Sequence, residues 1–155
     1  FRRSRGLGDV YKRQVERDPR FADLVTAMDT DTKSFQKIID TVFNYWVSPE
    51  CDIDGIQSWA DYRGGVVSAF EGAMASAQSG TDTAIFTSGG TIATIVGHVL
   101  RLTSDRVYEF YEPVFNCSIT RIIFNSRKCS LSTFNDVGHL HLISAQLRER
   151  LVTYR

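Results

Sequence analysis

The segment that most constrains this chain is Ala84–Ala93, where an apolar run meets two adjacent glycines and then continues as a helix-like stretch. The pattern predicts a strand over Thr83–Thr87, a tight turn, and a helix over Thr91–Arg101. The first backbone N–H groups of a helix have no partner within it, and its N-terminus attracts negative charge. With a serine hydroxyl beside them, these groups predict an anion site, a place where phosphate binds readily.

The first fourteen residues differ in character from the rest. They resemble translated sequencing-adaptor read-through, so we expect an artefactual, disordered tail over residues 1–14 and one domain over residues 15–155. A basic nucleic-acid arm and a targeting peptide are the alternatives. The segment has no apolar core for a signal peptide and too little serine for a transit peptide.

Removing that tail changes the charge balance. The whole chain has 18 basic and 18 acidic residues, but the tail contains five basic residues and one acidic residue. The remainder is therefore mildly acidic, and its sequence shows no run of basic residues. Because binding to a phosphate backbone needs concentrated Lys and Arg, nucleic acid is not the expected partner.

Size, hydropathy and cysteine content point to one soluble unit. About 140 residues is a normal domain size. No apolar stretch approaches the roughly 20 residues that a bilayer requires, so no membrane association is expected. The three cysteines are widely spaced and odd in number, which favours reduced thiols in the cytoplasm over a disulfide framework.

The first half of the chain is predicted to be helical. A short helix is expected from Asp18 to Met28, followed by an amphipathic helix from Asp31 to Val47. Ser58 has the position of an N-cap for a third helix that continues to about Ser79. Five aromatic residues follow this helical spacing and are predicted to lie in the core, namely Phe43, Trp46, Trp59, Tyr62 and Phe70.

The second half changes from helical to strand periodicity. After the helix that follows Gly90, residues 105–110 are expected to be partly helical. Ser118–Phe124 and Cys129–Phe134 alternate around a turn at Asn125–Arg127, which predicts a β-hairpin. Helix, strand, helix and hairpin in this order indicate an α/β fold.

Four blocks in the chain together resemble a known family. They are Ser58-Trp-Ala-Asp-Tyr-Arg63, Thr87-Ser-Gly-Gly90, Asn116-Cys-Ser-Ile-Thr-Arg121 and Phe134-Asn-Asp-Val-Gly-His-Leu140. Their order and spacing resemble the C-terminal part of the histidine phosphatase superfamily, the phosphoglycerate mutase-like proteins, in a bacterial branch. The resemblance implies a three-layer α/β fold with a mainly parallel sheet that ends in an antiparallel edge hairpin.

The resemblance also implies a chemistry. In this family a histidine in an Arg-His-Gly motif attacks a phosphoryl group and becomes transiently phosphorylated, while arginines and a second histidine neutralise the phosphate. The substrate is then a small phosphorylated molecule, and neither a cofactor nor a metal is implied.

This chain departs from the family pattern at two points. Its sequence contains no Arg-His-Gly, and the resemblance would locate that motif upstream of Val15. Ser88 occupies the position of the second histidine, so the hydrogen bond to phosphate there lacks the strength that a positive charge provides. We therefore expect a fragment that is inactive as it stands.

Two readings are open for each polar site residue. Ser88 and Thr87, with Gly89 and Gly90, form one wall of a phosphate pocket, or else their hydroxyls cap the following helix. Asn116 lies at the rim of that pocket, or it is an ordinary turn residue before a strand.

Other residue combinations are weaker candidates. A Ser88, Asp136 and His139 triad lacks the glycine two residues before the serine that a nucleophile elbow needs. His139 and His141 are too few for a metal site, and a polar loop is the simpler interpretation. His98 is expected on a helix surface or partly buried.

Two function classes therefore remain. One is a truncated phosphomonoesterase or mutase, which transfers a phosphoryl group through histidine in its complete form. The other is a non-catalytic domain that binds phosphate or a phosphorylated ligand. The upstream DNA distinguishes them, because an Arg-His-Gly after an N-terminal strand supports the enzyme.

Overall fold

The computed structural model describes residues 16, 32–51, 57–143 and 150–153. Two compact units divide the chain, residues 1–62 and residues 63–155. The predicted helix from Asp18 to Met28 falls outside the described residues, and so does the whole segment predicted to be an artefact, residues 1–14.

The first unit contains an amphipathic helix and an aromatic cluster. Helix α1 spans Thr32–Val47, as predicted. Its Trp46 ring packs edge-on against Trp59 with centroids 5.1 Å apart, and Trp46 also contacts Phe43 and Tyr62. Trp59 is buried, whereas Phe43, Trp46 and Tyr62 are half-buried. These four residues are therefore packing residues, as their helical spacing predicts.

Helix α2 spans Trp59–Ser76 and begins at the predicted N-cap. The backbone N–H of Asp61 donates to the Ser58 hydroxyl at 3.0 Å, and that hydroxyl donates to the Asp61 carboxylate at 2.7 Å. The helix ends about three residues earlier than the prediction. A hydrogen-bonded turn follows, in which Gly80 adopts a positive φ of 79°, a conformation that glycine accepts without steric cost.

The second unit is built around a central helix. Helix α3 spans Gly89–Leu100, close to the predicted bounds, and buries Ala93, Thr94, Ile95, Val96 and Gly97. A single 3-10 turn at Ser104–Arg106 and the short helix α4 at Tyr108–Tyr111 follow, in agreement with the predicted helical character there. Val107 between them is buried, with its Cγ2 close to Gly97 of α3.

The hairpin is confirmed. Strands β1, Ile119–Phe124, and β2, Cys129–Asp136, pair antiparallel, with Phe124 opposite Cys129 and Ile119 opposite Asp136. The Asn125 side chain closes the turn, since its Oδ1 accepts hydrogen bonds from the N–H groups of Arg127 and Lys128. Short helix α5, Gly138–His141, follows β2.

The predicted strand at Thr83–Thr87 is not formed. Residues 81–88 have no regular secondary structure, and Phe86 is 96% exposed. A strand requires hydrogen bonds from a neighbouring strand, and in the described part of the chain the hairpin is the only sheet. The mixture of helices and strands agrees with an α/β fold, while the mainly parallel sheet stays a prediction.

Candidate functional site

A cavity of about 410 Å³ lies at the N-terminus of α3. Four of the five predicted site residues line it, namely Thr87, Ser88, Gly89 and Asn116. Gly90 is half-buried and does not line it. The remaining lining is Ile85, Phe86, Ile92, Val114, Phe115, Cys117 and Ser118. Two segments that are distant in sequence therefore meet at one cavity.

Ser88 occupies the N-cap position of α3 but does not cap the helix with its hydroxyl. Its backbone is extended, and its carbonyl accepts the first helical hydrogen bond, from Ile92 at 3.0 Å. Its hydroxyl makes no capping hydrogen bond and lies 3.4 Å from the Thr91 hydroxyl. The amides of Gly89 and Gly90 have no acceptor within α3, because they belong to its first turn.

Asn116 is tied to the C-terminal segment. Its backbone N–H donates to the Thr153 carbonyl at 2.9 Å, and its side-chain Nδ2 donates to the Thr153 hydroxyl at 3.1 Å. The amide of Asn116 therefore holds a chain segment at the rim of the cavity. Whether Asn116 also contacts phosphate stays a prediction.

The loop that carries Asn116 is anchored from β2. Asn135 Oδ1 accepts a hydrogen bond from the Phe115 N–H at 2.9 Å, and its Nδ2 donates to the Pro113 carbonyl at 2.6 Å. Asn135 adopts a positive φ of 56°, and Cys117 one of 59°. Both residues lie in the small left-handed region of φ, which residues other than glycine adopt only occasionally and asparagine more often than most.

Two cavity residues have polar groups that sequence reasoning did not single out. The Ser118 hydroxyl is buried and has no hydrogen-bond partner among the described residues, an arrangement that is costly unless a ligand or water satisfies it. Cys117 is exposed, and all three cysteines of the chain are free thiols. Both residues lie within a recognised block, but only the tertiary structure brings them next to Ser88.

The electrostatics of the cavity are nearly neutral. No Lys, Arg or His side chain is found among its lining residues. A phosphate bound there would have only uncharged donors in the described part of the chain, namely backbone N–H groups, hydroxyls, the Asn116 amide and the Cys117 thiol. That donor set can orient an anion but provides little charge compensation.

The other candidates lie elsewhere. Asp136 accepts a hydrogen bond from the Gly138 N–H at 2.7 Å, and neither it nor His139 lines the cavity. His98 is partly buried, with Nε2 3.5 Å from a Glu71 oxygen, as expected for a structural histidine. Within the described ranges, no three His, Cys, Asp or Glu side chains lie together as a metal site would require. The same residues include no helix that is both long and apolar enough to cross a membrane.

The chain matches the model of a known protein family. The model of the histidine phosphatase superfamily, branch 1, matches residues 5–137. The match includes most of the segment predicted to be an artefact, and the status of that segment stays a prediction. Searches of curated proteins and of solved structures gave no significant match. Since the family model covers most of the chain, this protein belongs to the histidine phosphatase superfamily.

Proposed function

We propose that the cavity at the N-terminus of α3 is one wall of a phosphate pocket. In the complete protein, a phosphoryl group would pass from a small phosphomonoester to a histidine and then to water or a second acceptor. Membership of the histidine phosphatase superfamily is the observation that carries this proposal. The joint lining of one cavity by Thr87, Ser88, Gly89 and Asn116 supports it.

The chain as given is proposed to be inactive. Its three histidines are His98, His139 and His141, none of them within an Arg-His-Gly motif. Catalysis by this family's route requires a histidine nucleophile aligned with the phosphorus atom. We propose that this chain is part of a longer cytoplasmic enzyme whose upstream segment contributes the nucleophile and the arginines.

Phosphate binding tests the pocket directly. Inorganic phosphate, titrated by calorimetry, is expected to bind weakly and to slow alkylation of Cys117, which lines the same cavity. Ser88→Asp should abolish both effects because the added carboxylate repels phosphate. Ser88→His should strengthen binding below the ordinary histidine pKa of about 6.5, where the ring is charged.

Ser58→Ala is the matched control. Ser58 is also a helix N-cap, and it does not line the cavity. Its replacement should leave phosphate binding unchanged. Equal loss in the Ser58 and Ser88 variants, or no response of Cys117 to phosphate, would contradict the proposed pocket.

Enzyme and binding module are distinguished by the upstream DNA and by an assay. With p-nitrophenyl phosphate, the chain should show no turnover above background, and robust hydrolysis would show that the nucleophile lies within it. A longer product with an upstream Arg-His-Gly should hydrolyse the substrate and lose activity when that histidine becomes alanine. An upstream sequence that has a start codon but lacks the motif would favour a non-catalytic phosphate-binding domain.

A further inference from the structure

We propose that a second cavity, at the C-terminal end of α3, binds a small anion with two or more phosphate groups. The cavity measures about 490 Å³, within the usual range for small-molecule sites. Four basic side chains line it, and they come from three separate regions: Arg63 of α2, Arg101 after α3, and Arg127 and Lys128 of the hairpin turn. We call it the basic cavity.

The four basic residues of this cavity have no carboxylate partner among the described residues, whereas Arg106 and Arg121 each have one. Among the described residues, Arg106 forms a two-point ion pair with Glu109, at 3.0 and 2.9 Å, and Arg121 lies 3.9 Å from Asp82. No ion pair connects the four cavity cations to a described carboxylate, and the cavity lining contains no Asp or Glu. His98, which also lines the cavity, has its Nε2 3.5 Å from a Glu71 oxygen. The cavity therefore brings together four basic side chains that have no carboxylate partner in the described part of the chain.

The backbone beneath two parts of this cluster is fixed. Arg101 adopts a left-handed conformation at the C-cap of α3, and the next N–H, of Leu102, donates to the Gly97 carbonyl at 2.8 Å. Arg127 and Lys128 follow Asn125, whose Oδ1 accepts hydrogen bonds from both of their N–H groups. Because these backbone segments are already ordered, the ordering cost of binding an anion is mainly the conformational entropy of the Arg and Lys side chains.

The basic cavity is distinct from the proposed phosphate pocket. The two lie at opposite ends of α3, a helix of 12 residues. At 1.5 Å per residue, such a helix is about 18 Å long, farther than one small phosphomonoester reaches. The two cavities share no lining residue. This inference therefore stands or fails independently of the function proposed above.

The chemistry of the lining indicates the class of ligand. Guanidinium groups bind phosphate oxygens through paired N–H donors, and three arginines around one cavity suit several phosphate oxygens better than a single carboxylate. A half-open cavity of about 490 Å³ suits a compact anion. A linear polymer such as a nucleic acid would instead need a basic track that continues over the surface.

Inorganic tripolyphosphate is the probe for this site. Calorimetric titration of the full chain at low ionic strength is expected to give one-to-one binding that weakens as salt is added. The double variant Arg127→Gln/Lys128→Gln should weaken binding at least tenfold while retaining the circular dichroism spectrum. The turn's own hydrogen bonds use backbone N–H groups, which these substitutions keep.

A charge-matched control separates the cavity from overall charge. Arg106→Gln/Arg121→Gln removes the same net charge outside the cavity and should leave the affinity for tripolyphosphate within about twofold. Equal weakening in both double variants, or no binding of tripolyphosphate to the native chain, would overturn the proposal. Tighter binding of a ten-residue oligothymidylate, lost in the same hairpin variant, would overturn it in favour of a nucleic-acid surface.

Discussion

Asn135 holds Phe115 and the loop around it against the end of the hairpin. The amide oxygen accepts the Phe115 N–H at 2.9 Å, while the amide nitrogen donates to the Pro113 carbonyl at 2.6 Å. One side chain thus satisfies two backbone groups of the loop that lines the candidate phosphate pocket. The position of Asn116 and Cys117 beside Ser88 depends on this anchor, because they directly follow Phe115 in the chain.

Replacement of Asn135 should loosen the loop. Asn135→Ala removes both hydrogen bonds and is expected to lower the free energy of unfolding by about 1–3 kcal/mol, since it leaves partly buried backbone groups unpaired. Asn135→Gly should cost less, because glycine accepts the positive φ. Urea unfolding and hydrogen exchange at the Phe115 amide measure the effect. Unchanged exchange at Phe115 in both variants would show that the loop is held by other contacts.

The N-cap of α2 offers a test of local stability. Ser58→Ala removes the acceptor of the Asp61 N–H and should destabilise by about 1 kcal/mol. Ser68→Ala, within the same helix and exposed, is the control and should change stability little. Thermal unfolding compares the two. If the two substitutions lower stability equally, the hydrogen bond between the Ser58 hydroxyl and the Asp61 N–H does not stabilise α2.

Gly97 tests the packing of α3. A Cβ at this position would lie 2.8 Å from Cγ2 of the buried Val107, so Gly97→Ala should destabilise by about 1–3 kcal/mol. Gly72→Ala is the matched control, since nothing lies within 4 Å of its Cβ position. That change should stabilise the helix by about 0.5–1 kcal/mol. If both substitutions stabilise, α3 does not pack as closely against Val107 as described.

A further prediction concerns residues 81–88, the segment without regular secondary structure that precedes α3. Phe86→Ser should change the free energy of unfolding by less than about 0.5 kcal/mol, because the ring is 96% exposed. Phe70→Ala, at a buried site, should cost about 3–5 kcal/mol. Urea titration of the two variants gives the comparison. A loss of several kcal/mol for Phe86→Ser would show that the ring is buried against another segment or a second chain.

The cysteines should differ in reactivity. Burial raises the pKa of the Cys129 thiol, and its sulfur lies 3.8 Å from that of Met74. Because the thiolate is the reactive form, iodoacetamide should modify the exposed Cys117 several-fold faster near pH 8. The difference should narrow as the pH rises through the raised pKa of Cys129. Mass spectrometry of the native chain, with Cys117→Ser as the control, measures the rates, and faster modification of Cys129 would contradict this order.

Local sequence patterns predicted most of the described elements. Helix α1 and the hairpin follow from the spacing of apolar residues, and the N-cap of α2 follows from Ser58, because these features depend on neighbours along the chain. The strand over Thr83–Thr87 was predicted wrongly, since its apolar run fits a strand but the described chain provides no strand to pair with it. The helical spacing predicted that Trp46 and Trp59 are packing residues, but it did not predict which rings they contact.

The residues of the candidate site also fall into two groups, those that the sequence indicated and those that only the structure revealed. Thr87, Ser88 and Gly89 were found from the sequence because the break from an apolar run to a helix is a local signal. Cys117 and Ser118 gave no such signal, because their role depends on a loop anchored by Asn135. The basic cavity was also missed, since its residues come from three distant parts of a sequence without basic runs.

The sequence by itself determined the family, helices α1, α2 and α3, and the hairpin, since each depends on a short-range pattern or on recognisable blocks. It also marked the residues at the start of α3 as the candidate site. Only the tertiary structure decided that Asn116 and Ser88 line one cavity and that residues 81–88 have no strand partner among the described residues. It also decided that four basic side chains, none of them paired with a described carboxylate, line a cavity at the far end of α3. The physical reason is that such arrangements depend on contacts between distant segments, and those contacts form only when the chain packs.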